Sequence, residues 1–177
     1  MIVRGGAGVV LRHRDLLWRT LFADRARPER SRRECRRHTC LCYPVRMNER
    51  KEPTYLLTEK QVAEKSEIAR RFLDTRTRLN ENVDKADNFL VKRFYNIDHN
   101  AYLEGPVPAK YKELMGLAAS ACLRCDDCID YHMIQAYRLG VTRAEQEEAL
   151  NVALVVGGSI VIPHLRRAYE LLSELHR

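Results

Sequence analysis

No apolar run in this chain approaches the roughly 20 residues that a helix needs to cross a bilayer. That argues against a spanning helix as the organising element. Lysine is missing from the first quarter. Residues 1–46 hold twelve arginines, four acids, a single serine (Ser31) and no lysine, and all seven lysines follow. Arg4, Arg12 and Arg14 break any apolar core of a secretory signal, and the four acids with the lone serine argue against a cleaved targeting peptide. The formal charge of +7 is therefore a local property. Twelve of the 31 basic and four of the 24 acidic side chains lie in residues 1–46 (+8), leaving 19 basic and 20 acidic (−1) in residues 47–177. The expected organisation is an Arg-rich extension over 1–46 that adds nothing to the fold, with Met47 a plausible start, and a folded domain over 47–177. A nucleic-acid-binding arm is the reading that charge alone would favour. The balanced remainder gives no reason to expect nucleic acid or membrane as a partner.

What is present is helical patterning. At 177 residues and 45% apolar content the chain can bury one real core. Thr58 with Gln61 forms a capping-box start, and Val62, Ile68, Phe72 and Leu79 mark one side of a helix to about Leu79. A second helix is expected from about Asp84 to Asn96 with Phe89, Leu90 and Phe94. Gly105, Pro106 and Pro108 punctuate a loop, with Pro108 placed at the first turn of a helix carrying Leu114, Leu117, Ala118 and Ala121. A helix containing Cys125 and Cys128 ends at Gly140. Thr142 with Glu145 opens another, whose stretch Ala149–Val156 is apolar all round, as expected for burial or a shared subunit face. Gly157 and Gly158 interrupt it, and Pro163–Leu175 closes the chain with Leu165, Tyr169, Leu172 and Leu175 on one side. The β-branched run Ile160, Val161, Ile162 lacks an alternating partner. The expected fold is all-α, a compact subunit of five to six helices.

The chemistry concentrates in Cys125, Cys128 and His132. Two thiols three positions apart can close a disulfide with little backbone movement, and an imidazole four residues beyond the second can take its proton. A free thiol at its ordinary pKa is only a few per cent ionised at neutral pH, so it needs help to become a nucleophile. Position at a helix N-terminus favours Cys125 as the low-pKa thiol, whereas His132 favours Cys128; the histidine decides for Cys128, because the leaving oxygen must also gain a proton. Glu113 could orient His132 or pass protons through water. Asp126, Asp127 and Asp130 suit the helix dipole but would raise a neighbouring thiol's pKa. Several residues have plainer readings. Cys122 fits a small core residue, His164 and His176 structural or exposed positions, Tyr131 and Tyr137 packing, and Cys35, Cys40 and Cys42 no designed role.

The spacing Glu113-x11-Cys125-x2-Cys128-x3-His132 resembles the alkylhydroperoxidase D branch of the carboxymuconolactone decarboxylase-like family. So do Ala109–Leu114, the Leu139-Gly140-Val141-Thr142 turn and the Gly157-Gly158 pair, a likeness covering about residues 85–176. The resemblance implies an all-helical subunit assembling as a homotrimer or homohexamer, and a cytoplasmic thiol peroxidase or disulfide oxidoreductase without a cofactor. It implies Cys128 as the peroxide-attacking thiol, Cys125 as the resolving thiol, and His132 with Glu113 as the proton relay. Its substrate would be a hydroperoxide and its reductant a dithiol or thioredoxin-like donor. The best-known peroxidases of this type carry a second histidine between the cysteines, where this chain has Asp127. Two alternatives are a lactone-acid lyase, as in the family's namesake enzymes, and a metal centre, since Cys122, Cys125, Cys128 and His132 read as C-x2-C-x2-C-x3-H.

Overall fold

A computed structural model describes residues 50–177; the expectations for the extension, Met47 and Cys35, Cys40 and Cys42 lie outside the described residues. Seven α-helices follow in order: α1 Glu59–Lys65, α2 Glu67–Lys85, α3 Phe89–Tyr102, α4 Ala109–Leu123, α5 Asp126–Arg138, α6 Arg143–Gly157 and α7 Ile162–Leu175, with a 3-10 turn Ser159–Val161 before α7. Among the described residues there is no strand, as the all-α reading requires.

The helix starts follow from local chemistry. Thr58–Gln61 and Thr142–Glu145 both form complete capping boxes. Gly140 takes φ +79 after α5, a left-handed turn that glycine adopts without a Cβ penalty. Several boundaries differ from the sequence expectation: α2 runs on to Lys85 rather than ending at about Leu79, and α3 to Tyr102 rather than Asn96. The first helix is two helices, because Ser66 stops α1 and caps α2: its side chain accepts from Ala69 N–H and donates to Glu174 at 2.7 Å, a partner 108 residues away. The next helix starts at Phe89 rather than near Asp84, because Asn88 caps it through Leu90 N–H and Val91 N–H after Asp87 turns left-handed. Pro108 sits at the N-cap of α4, one residue before its first turn.

The site is positioned by an α4–α5 hairpin. Arg124 ends α4 in the left-handed conformation (φ 61), its N–H reaching back to Ala121 and Ser120, and Cys125 N–H follows to Ser120 O at 3.1 Å. The chain thus reverses in two residues and begins α5 with Cys125 as its N-cap. Leu117 and Ala121 of α4, Ile129 and Met133 of α5, Leu150 and Ala153 of α6, and Leu165 and Leu172 of α7 form the core. Each large aliphatic buried this way stabilises by about 1.5–3 kcal/mol.

Two helices keep apolar surface open. α3 buries none of its residues and exposes Phe89, Leu90, Phe94 and Ile97. α6 buries Leu150 and Ala153, whereas Val152, Val155 and Val156 are exposed, so Ala149–Val156 is half core and half open face. The run Ile160–Ile162 forms the 3-10 turn and the entry to α7, with Val161 buried.

Candidate functional site

Residues Asp127, Cys128, Tyr131 and His132 follow one another at helical spacing along one side of α5, and all four line a cavity of about 340 Å³. Its opposite wall comes from α2, through Phe72, Arg76 and Leu79, and from Asp98 of α3. The Cys125 and Cys128 sulfurs are at bonding distance, with Cα atoms 5.3 Å apart. Cys128 is the exposed member of the pair and opens to the cavity, whereas Cys125 is half-buried at the hairpin.

His132 is held from behind. Its Nδ1 lies 2.8 Å from Oε2 of Glu113, whose side chain projects from α4 and is only 3% exposed. A carboxylate on Nδ1 fixes the ring's orientation and leaves Nε2 as the nitrogen for chemistry on the cavity side. Gly116, one turn beyond Glu113, makes the room. A Cβ there would lie 2.6 Å from His132 Cε1, 2.7 Å from Nδ1 and 2.7 Å from the Tyr102 hydroxyl.

Two phenols flank the imidazole, Tyr102 with its ring centroid at 5.3 Å and Tyr131 edge-on at 5.4 Å. Burial, then the nearby Glu113 carboxylate, pushes both up to about 12, so at neutral pH each is a hydrogen-bond donor and not a base. Arg76 stacks its guanidinium 4.5 Å above the Tyr131 ring.

The three acids that complicate the activation argument separate spatially. Asp127 faces the cavity. Asp126 turns to α7, where its carboxylate accepts from His164 Nδ1 at 2.7 Å and from Arg167. Asp130 carries no ion-pair partner among the described residues; burial, then Asp126 and Asp127, raises its carboxyl to about 6.

The hairpin thus gathers all four expected residues, Cys125, Cys128, His132 and Glu113, and the Glu113–His132 contact is direct rather than through water. Arg76, Tyr102, Asp98 and Gly116 were not anticipated. Gly116 alone carries a signal, as a glycine inside an otherwise helical pattern; the other three come from helices whose packing no local spacing announces. His164, expected as structural or exposed, is structural, paired with Asp126 across to α5. Cys122 stands apart from the pair, donating to the Ala153 carbonyl at 3.6 Å. Among the described residues no group of three or more His, Cys, Asp or Glu side chains is gathered to hold a metal ion.

Comparison with known proteins places this geometry in context. The sequence profile of the Carboxymuconolactone decarboxylase family matches residues 90–171. Two crystal structures of one Thermotoga maritima protein are similar at 52% identity. The first covers 59% of this chain and 92% of its own, with a TM-score of 0.58. The second covers 59% and 89%, with a TM-score of 0.57, and is described as a carboxymuconolactone decarboxylase family protein with a suggested part in antioxidative response. An uncharacterized protein of Cupriavidus necator is 32% identical over 91 residues, 48% of this chain and 80% of that protein.

Proposed function

Because the chain belongs to the carboxymuconolactone decarboxylase family, we propose that it is a thiol-dependent peroxidase or disulfide oxidoreductase of the alkylhydroperoxidase D type. The observation that carries the reading is the shared cavity. Cys128, the open sulfur, and His132, oriented by the buried Glu113, line one chamber, and the second sulfur lies within bonding reach behind it.

In the reduced protein His132 takes the Cys128 proton. The thiolate attacks the distal oxygen of a hydroperoxide; the O–O bond breaks, Cys128 becomes a sulfenic acid, and the departing alkoxide takes the proton from His132 to leave as an alcohol. The Cys125 thiol then displaces water from that sulfenic acid, forming the disulfide. A dithiol or thioredoxin-like donor returns two electrons and two protons by thiol–disulfide exchange, entering at the exposed Cys128 sulfur. Glu113 keeps the imidazole in place through the proton transfers. Tyr131 offers an O–H donor to the chamber, and Asp127 stands where the best-known relatives have a second histidine.

The open apolar faces of α3 and α6 support assembly as a homotrimer or homohexamer, since a lone subunit leaves Phe89, Leu90, Phe94, Val155 and Val156 in water. Among the described residues no helix is long and apolar enough to cross a membrane. The activity is tested by following consumption of an organic hydroperoxide with a dithiol as reductant. Cys128→Ser abolishes turnover on this reading; undiminished turnover in that variant refutes it.

A further inference from the structure

We propose that His164 and Arg167 of α7 form, with Asp126, an electrostatic clamp that sets the thiolate character of the Cys125–Cys128 pair, so that the pair's reactivity follows the protonation of His164. The inference rests on the redox reading of the pair and adds its regulation.

Asp126 is the first residue of α5 and the immediate neighbour of Cys125. An uncompensated carboxylate there would oppose a thiolate on Cys125 and offset the helix N-terminus that favours one. The structure compensates it twice, with His164 Nδ1 on Oδ1 at 2.7 Å and Arg167 on Oδ2. His164 and Arg167 stand three apart on α7 and therefore share a face. His164 is only 18% exposed, whereas Arg167 is 64% exposed. Arg167 supplies a permanent charge, and His164 adds a second one to the cluster when it is protonated. With His164 neutral, Asp126 and Arg167 cancel; with His164 protonated, the cluster gains a positive charge beside Cys125.

The groups that compete with His164 are identifiable. From α5 they are Asp126, Asp130 one turn further on, and Asp127 turned to the cavity; from α7 Arg167 is the other charge on the seam. α6 and the 3-10 turn share the core with α7 through Leu150, Ala153 and Val161, and at the far end of α7 Gln146, Arg143 and Glu147 of α6 face His176. α1 and α2 meet it at its far end, where Glu174 accepts from Ser66 and from Ile68 N–H. Asp130, raised to about 6 by burial and by its two acidic neighbours, loses its negative charge as pH falls through that value and so adds to the pH dependence in the same direction as His164. In this arrangement His164 and Arg167 are positioning residues that act through Asp126 and touch no substrate.

The test uses the reduced full chain, without peroxide. The alkylation rate of Cys125 is followed from about pH 5 to 8 by mass spectrometry, alongside the dithiol–disulfide equilibrium in glutathione buffers. Arg167→Gln is expected to slow neutral-pH labelling of Cys125 by about threefold, half a unit of thiol pKa, and to shift the equilibrium toward disulfide. Asp126→Asn is expected to do the reverse. His164→Gln, whose amide can still donate to Asp126, is expected to reduce the parent's change of rate with pH, and His164→Gln with Asp130→Asn to abolish it. Arg166→Gln removes an exposed neighbouring charge and is expected to follow the parent. Superimposable profiles for all four single variants overturn the clamp while leaving the pair redox-active, as does an Arg166→Gln effect equal to that of Arg167→Gln. A pair that stays reduced in every glutathione buffer overturns the redox reading itself. Thermal unfolding checks each variant's fold, and the exposed Arg167 supplies the test should His164→Gln fail to fold.

Discussion

Replacing Gly116 by alanine isolates the positioning of His132 from the chemistry of any reacting group. The added Cβ would lie 2.6 Å from Cε1 and 2.7 Å from Nδ1 of the ring. Comfortable contact begins near 3.5 Å, so the imidazole must move by about 1 Å. Its 2.8 Å hydrogen bond to Glu113 cannot survive that movement intact, and Tyr102, whose hydroxyl would be 2.7 Å away, blocks one direction of escape. Overpacking costs about 1–3 kcal/mol and the hydrogen bond to a charged group about 1.5–3 kcal/mol. The better helix propensity of alanine returns about 1 kcal/mol. The net expectation is destabilisation by about 1.5–5 kcal/mol, visible as a fall in melting temperature of several degrees or more. Turnover should fall about 100-fold, the usual consequence of a 1 Å misplacement. Gly105→Ala is the control, because its Cβ would meet only Lys112 Nζ at an ordinary 3.7 Å. The assays are calorimetry and hydroperoxide turnover with a dithiol. A Gly116→Ala protein that melts above the parent and turns over at the parental rate refutes the idea that this gap positions the ring.

Glu113→Gln retains the shape but not the charge behind His132, and is expected to lower turnover by about 10–100-fold while the protein stays folded; parental turnover would remove Glu113 from the relay. Asp130→Asn tests the buried acid. Its carboxyl, raised from 3.8 to about 6, binds more protons folded than unfolded between those values, so its ionisation penalty grows as pH rises through that window and is complete above about 6. Asparagine should therefore add about 1–2 kcal/mol at pH 7, after allowance for solvent screening, and little below pH 4; a gain independent of pH contradicts the assignment. Cys128→Ser also separates thiol chemistry from the namesake chemistry of the family, since lactone-acid turnover that persists in the variant would favour the lyase.

Much of the fold was legible because helix starts are local events. Thr58–Gln61 and Thr142–Glu145 announce their capping boxes within four residues, and Gly140 announces its stop. Ser66 does not, because the partner that makes it a cap, Glu174, lies at the other end of the domain. The start expected near Asp84 lies at Phe89 in the structure, where Asp87 turns left-handed and Asn88 caps the helix. The site was legible along α5, where Cys125, Cys128 and His132 fall within about two helical turns, and Glu113 followed from a spacing that spans the hairpin. Arg76 of α2 and Asp98 of α3 reach the cavity, and Tyr102 of α3 the back of His132, only through tertiary packing. The three acids of the motif pointed to an unfavourable field around the thiols. In the structure Asp126 faces His164 and Arg167, which no spacing within α5 could foretell.

The most direct test treats the reduced protein with one equivalent of an organic hydroperoxide and maps each sulfur by mass spectrometry, in the parent and in Cys125→Ser. The account predicts an intramolecular Cys125–Cys128 bridge in the parent and a trappable sulfenic acid on Cys128 in the variant. Two unmodified thiols in the folded parent would contradict it.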